Sequence, residues 1–254
     1  RTAPSLPAQS LASRCYYAMF SGCTALKTAP ELPAETLAEH CYDEMFFGCS
    51  ALTEAPKLPA QSLASCCYSR MFSGCKALAT APKLPAETLA EHCYDEMFSY
   101  CSKLTTAPEL PAESLASGCY QEMFSNCTSL TNLPELPFYQ SLATGCFKGM
   151  FQYCTSLETA PMLHVYSLAE YCFAGMFFSC TKLSSVTLST DDPQIAYSFN
   201  PEYYLLDWLN GAGTEADSPQ LYLGCTIEAY YFSRSEELTN DYYYIPENWS
   251  VQSW

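Results

Sequence analysis

Ser10–Glu35 reads SLASRCYYAMFSGCTALKTAPELPAE, and Thr36–Gln61 reads TLAEHCYDEMFFGCSALTEAPKLPAQ. These are two copies of one unit. Further full copies start at Ser62, Thr88, Ser114 and Ser141, and a seventh at Ser167 decays after Leu183. The period is 26 residues, with one inserted residue in the copy from Ser114. The shared pattern is S/T-L-A-x-x-C-Y/F-x-x-M-F-x-x-C-x-x-L, usually followed by x-x-A-P-x-L-P-A. A repeat of this length cannot bury its apolar half alone, so the copies must stack into a solenoid with one continuous core.

Each unit has a readable plan. Leu11, Ala12, Cys15, Tyr16, Met19 and Phe20 occur two on, two off, and at about 100° per residue they cover one half of a helix. Thr36 with Glu39, Thr88 with Glu91, and Ser167 with Glu170 fit the capping box of a helix start. The helix should end near Gly22. Leu26 to Ala29 is then the segment extended enough for a strand, because Pro30 and Pro33 lack the N–H that a longer ladder needs. The expected architecture is an α/β solenoid: short parallel strands on one side and short helices on the other. The expected division is a solenoid over residues 1–188 (seven units plus a partial N-terminal one) and a C-terminal capping segment over 189–254.

Fourteen of the 16 cysteines form seven C-x7-C pairs, from Cys15/Cys23 to Cys172/Cys180. Eight helical residues would hold the two Cα atoms of a pair about 12 Å apart, beyond disulfide reach. Coils would lie about 5 Å apart on the strand side and about 8–10 Å apart on the helix side, too wide there for a regular disulfide ladder. The first reading is a ladder of buried apolar thiols, the second partial disulfide formation, the third a metal site that x7 spacing does not support. Cys66 and Cys225 stand outside the ladder. Cys66 occupies the outward position held elsewhere by Arg14, His40, His92 and Gly118, which marks it as the candidate reactive thiol.

Acidic residues outnumber basic ones 27 to 11, giving a net charge of −16. That excludes a nucleic-acid binder, which needs a cationic face, and an anionic membrane surface as partner. No apolar run approaches the roughly 20 residues of a membrane span. The chain starts at Arg1, which reads as a processed or truncated N-terminus past any export signal. His40 and His92 share a repeat position two coils apart and cannot share a metal; His164 replaces a Pro or nearby loop residue. All three should be solvated, as should Asp43-Glu44 and Asp95-Glu96. Asp191-Asp192 alone do not make a calcium site. No phosphate loop, dinucleotide fingerprint or nucleophile elbow is present, so no catalytic residue, cofactor or metal is assigned.

From Ser189 onward the repeat is gone, and 14 of 66 residues are aromatic. Asn200-Pro201 should open a helix with Tyr203, Leu206 and Leu209 as its buried stripe, ended by Gly211 or Gly213. Leu221–Tyr231 and Tyr242–Ile245 read as strands. The segment reads as a cap over the last coil, or as a ligand surface of Tyr and Trp.

The pattern L-P-A-x-S/T-L-A-x-x-C-Y-x-x-M-F-x-x-C-x-x-L resembles the BspA-type leucine-rich repeats of bacterial surface proteins, over roughly residues 1–188. Asp207-Trp208-Leu209-Asn210-Gly211 and Ile245-Pro246-Glu247-Asn248-Trp249 are similar to the end segment that follows such repeats. The resemblance implies a right-handed solenoid, display at the bacterial cell surface or outside the cell, and a role in adhesion or host interaction without catalysis.

The residues themselves point the same way, to a binding module. Solenoid surfaces vary without disturbing the core. The strand-side candidates are Lys27, Thr53, Lys57, Lys83, Thr105, Glu109, Thr131, Glu135 and Glu158. They alternate between acidic, basic and neutral, which suits a protein or glycan partner. The helix-side positions Arg14, Tyr17, Asp43, Glu44, Arg70, Asp95, Glu96 and Lys148 vary as much. The alternative function is a structural subunit stacking head to tail on itself through an open N-terminal coil.

Overall fold

The computed structural model describes residues 3–190, 204–224 and 245–253. Asp191-Asp192, Asn200-Pro201, Tyr203, Cys225 and most of the strands expected at 221–231 and 242–245 lie outside the described residues.

On the strand side, consecutive coils pair in parallel at two places. One ladder follows the core leucine: Thr28 pairs with Glu54, Thr80 with Thr106, and Thr106 with Asn132. The other links Ser10, Thr36, Ser62, Thr88 and Ser114, the positions read as helix starts. Between the ladders lies A-P-x-L-P. Its two prolines offer no N–H, so most coils make isolated bridges instead of a strand. Where His164 replaces the second Pro, the two ladders fuse. Strand β2 (Thr159–Ser167) then runs unbroken, with a register shift between Thr159 and Met162 around the remaining Pro161. The next coil has neither proline and forms β3 (Ser185–Thr190). With β1 (Tyr139–Ser141), β4 (Gln220–Leu223) and β5 (Ser250–Ser253) they make a parallel sheet in the order β1-β2-β3-β4-β5.

The expected helices are absent: no described residue is helical. Each presumed helix is a run of tight turns. The N–H groups of Arg14, Tyr16, Ala18, Phe20 and Gly22 donate to carbonyls of the next coil, on Glu39, Cys41, Asp43, Met45 and Phe47, at 2.7–3.0 Å. The intervening N–H groups, from Cys15 to Cys23, donate three residues back. Every fourth residue is left-handed: Arg14, Ala18 and Gly22, then His40, Glu44 and Gly48, and so on up the stack. A helix would send each N–H four residues back and leave none for the neighbouring coil. Here half of them join coil to coil, so coils sit at strand-like spacing on this side too.

The core follows from that spacing. Equivalent side chains stack in columns. Tyr16, Tyr42, Tyr68, Tyr94, Tyr120, Phe147 and Phe173 form one ring column at 5.7–5.9 Å centroid spacing. Phe20, Phe46, Phe72, Phe98, Phe124, Phe151 and Phe177 form a second at 5.5–5.8 Å. Both lie within the range of favourable aromatic pairs. Met45, Met71, Met97, Met123, Met150 and Met176, the core leucines and the cysteine columns from Cys41 onward fill the rest.

The backbone coil also outlasts the sequence repeat. Residues 204–213, expected as a helix, take the turn-side path of an eighth coil. Phe173, Gly175, Phe177 and Ser179 donate to the carbonyls of Tyr204, Leu206, Trp208 and Asn210. Trp208 and Leu209 occupy the Met and Phe positions and are fully buried. Leu206 of the expected stripe is only half-buried. Trp249 packs behind, its indole N–H donating to Ala212 O at 3.0 Å. Trp208 and Trp249 are therefore core residues and not a ligand surface.

Gly74 shows what the left-handed positions demand. Its φ is +76°, and a Cβ there would meet the Gly48 Cα at 3.4 Å. Gly74→Val is expected to lose about 1–3 kcal/mol of unfolding free energy in urea, the usual cost of a side chain forced into that region. An unchanged midpoint would contradict the turn geometry.

Candidate functional site

The nine strand-side candidates all lie exposed. Lys27, Thr53, Thr105, Thr131 and Glu158 each follow a buried core leucine and stack in one column. Hydroxyl bonds hold the register of this column. Thr53 Oγ1 donates to Lys27 O at 3.3 Å, Thr131 Oγ1 to Thr105 O at 3.4 Å, and Ser184 Oγ to Glu158 O at 2.8 Å. Lys57, Lys83, Glu109 and Glu135 form a second column, four residues on and so about 13 Å away along an extended chain. Among these nine, Lys27, Lys57 and Lys83 precede Glu109, Glu135 and Glu158, but exposed Glu31 heads the second column and exposed Glu54 adjoins Thr53, so the first coils carry both signs. None of these nine makes an ion pair among the described residues.

The turn side is different. Arg70 Nη2 and Nε bind Glu96 Oε1 at 2.7 and 3.0 Å, and Arg70 Nη1 lies 3.6 Å from Glu44. His40 Nδ1 lies 2.8 Å from Asp43 Oδ2, and His92 Nδ1 lies 3.8 Å from Asp95 Oδ2. Asp43 is buried. These groups are not freely solvated, as the sequence suggested. The close coils and tight turns press them together, so they satisfy one another. His164 is likewise not free: it is half-buried with its ring 4.6 Å from that of Phe138.

Asp95 carries the electrostatic strain of this side. Its Oδ1 is buried without a hydrogen-bond partner among the described residues. Burial above all, and then the charge of Glu96, push its carboxyl up to about 7, against the pull of Arg70. Glu122 is raised for the same reasons, burial first and Glu96 second.

The cysteine columns are free thiols, and 12 of them are buried. Those from Cys49 to Cys180 in the second column donate to the Phe carbonyl of the preceding coil, at 3.0–3.3 Å. Burial raises the 12 buried thiols, Cys41 and Cys49 to about 11 and Cys127 and Cys180 to about 12. Cys66 is half-buried and is also raised, by burial and by Asp43, Asp95 and Glu39, so its surroundings do not activate it. Reactive thiols need an electropositive setting. No group of three or more metal-binding side chains occurs among the described residues, and no helix long and apolar enough to cross a membrane occurs among them.

No family model matches the chain, and no curated protein does. A solved leucine-rich repeat protein from Bacteroides ovatus is similar to it, at 14% identity and a TM-score of 0.33, covering 100% of this chain and 83% of that one.

Two outcomes follow from this chemistry. A carboxyl raised in the folded state destabilises it once ionised: the penalty is absent below the unfolded pKa near 3.8 and complete above about 7. Asp95→Asn should therefore be more stable than the parent at pH 8, with the gain vanishing toward pH 4; an equal gain at both would contradict it. Second, iodoacetamide on the native protein at neutral pH should label Cys15 and Cys23, which are exposed, and Cys66 more slowly. The 12 buried thiols should react only after unfolding, read residue by residue by peptide mass mapping.

Proposed function

We propose that the chain is a leucine-rich-repeat-like binding module that works outside the cell or at the cell surface, without catalysis, and recognises a protein or glycan through its strand side. The observation that carries this reading is the contrast between the two sides. On the turn side Arg70 is bound by Glu96 and Glu44, and His40 by Asp43, whereas the nine strand-side residues stand exposed in two columns and make no ion pair among the described residues. A hydrogen-bonded scaffold holds them, so their arrangement costs little further ordering when a partner binds. The mixed charges of these columns favour a partner of mixed, complementary charge.

The test is binding to arrays of glycans and of extracellular proteins. Reversing Lys57→Glu, Lys83→Glu, Glu109→Lys and Glu135→Lys together should weaken the leading hit at least about tenfold. It should also lower the salt dependence of that hit. Arg14→Ala, on the turn side, should leave it unchanged. Loss with Arg14→Ala but not with the four reversals would place recognition on the other side and overturn the reading.

A further inference from the structure

The ridge of long turn-side residues breaks at one place. Glu44, Arg70, Glu96 and Glu122 occupy the same position in successive coils, and the next two coils carry Gly149 and Gly175 there. Beside them Ala174 takes the place of Asp43 and Asp95. The result is a groove of about 280 Å³. Glu122 and Gln152 fold over Gly149, while nothing lies within 4 Å of a Cβ built on Gly175, so the open space is centred there.

The backbone N–H groups on the floor of this groove are already bonded within the protein. Gly149 N–H donates to Ala174 O, Gly175 N–H to Leu206 O, and Tyr153 N–H to Phe178 O. The Gly149 and Gly175 carbonyls accept from Gln152 and Phe178. Donor and charged contacts with a ligand must come from side chains. Lys148, Glu122, Gln152 and Asp207 supply these around the rim. Tyr153 and Phe178 supply an aromatic wall as a T-shaped pair, 5.4 Å between centroids. Tyr153 is 41% exposed and left-handed at φ +61°, at a position where earlier coils carry Gly22, Gly48 and Gly74. A bulky residue there adds backbone strain and gains little burial in return.

The lining selects a ligand by elimination. The volume lies just below the range for drug-sized ligands and suits a single ring. Glu122 and Asp207 oppose an anion, and the Lys148 ammonium offsets one of the two carboxylates and so weakens the pull on a cation. A purely apolar ligand would leave the rim's polar groups without partners. What remains is an uncharged ring with an apolar face for the aromatic wall and hydroxyls that donate to carboxylates and accept from an ammonium. We propose that this groove is a binding site for one neutral hexose ring. It lies on the side opposite the charged columns, so it stands or falls independently of the strand-side reading.

The test is saturation-transfer NMR and calorimetry on the whole chain with methyl glucoside, methyl galactoside and methyl mannoside, and with glucosamine and glucuronate as charged counterparts. At least one neutral glycoside should bind in the millimolar range, more tightly than either charged sugar. Tyr153→Gly and Glu122→Gln should each weaken it about tenfold or more. Tyr153→Gly installs the residue that the repeat itself uses at this left-handed position, so its melting temperature should hold while binding falls. Tyr100→Gly makes the same exchange two coils away, outside the groove, and should leave binding unchanged. The proposal is overturned if no neutral glycoside binds at concentrations up to tens of millimolar. It is also overturned if a charged sugar is preferred, or if neither groove variant affects binding.

Discussion

The N–H of every second turn-side residue, bonded to a carbonyl one coil further on, sets the spacing of the whole molecule. Because these bonds exist on the turn side as well as in the strand-side ladders, neighbouring coils approach to strand-like distance all the way round. Equivalent side chains are then forced into register and face their own kind above and below. This turns a repeated Tyr, Phe, Cys and Leu into stacked columns, and it presses the turn-side charges into pairs. The same bonds require a left-handed residue at every fourth position, which most side chains adopt only at a cost. The ladder bonds and the burial of two apolar residues in every four offset that cost.

Much of this was legible in the residues. The period of 26, the inward set of Leu, Cys, Tyr, Met and Phe, and the interruption of the strand ladder by proline all appear where the repeat places them. The error was to treat a two-on, two-off pattern as helical. Cys41, Tyr42, Met45, Phe46 and Cys49 keep a strict period of four. A helix would rotate that pair about 40° with each repeat and smear the stripe. Glycine at Gly22, Gly48, Gly74, Gly149 and Gly175 was a second sign, since each falls in register with that period. The same misreading made a helix of residues 204–213. There Trp208 and Leu209 stand for Met and Phe, a substitution that hides the repeat from the eye but preserves its burial.

Site features divided along similar lines. The nine strand-side residues could be chosen from the repeat because variable positions next to an invariant leucine must point outward. The Arg70 contacts with Glu44 and Glu96 depended on coil spacing, which the helical expectation set too wide. The groove over Gly175 had a sequence sign, the change from E-M-F to G-M-F in the two coils at Gly149 and Gly175. Its meaning appears only once those glycines are stacked beside Tyr153 and Asp207. One side of the solenoid therefore presents unpaired charge on a fixed lattice, and the other is a self-satisfied ridge with a single gap.

Far-ultraviolet circular dichroism of the purified chain tests the turn-side ladder most directly. Coils bonded to one another on both sides predict a spectrum dominated by strand and turn, without the helical double minimum. A strong helical double minimum would mean that these segments bond within themselves and that the close spacing of the coils is wrong.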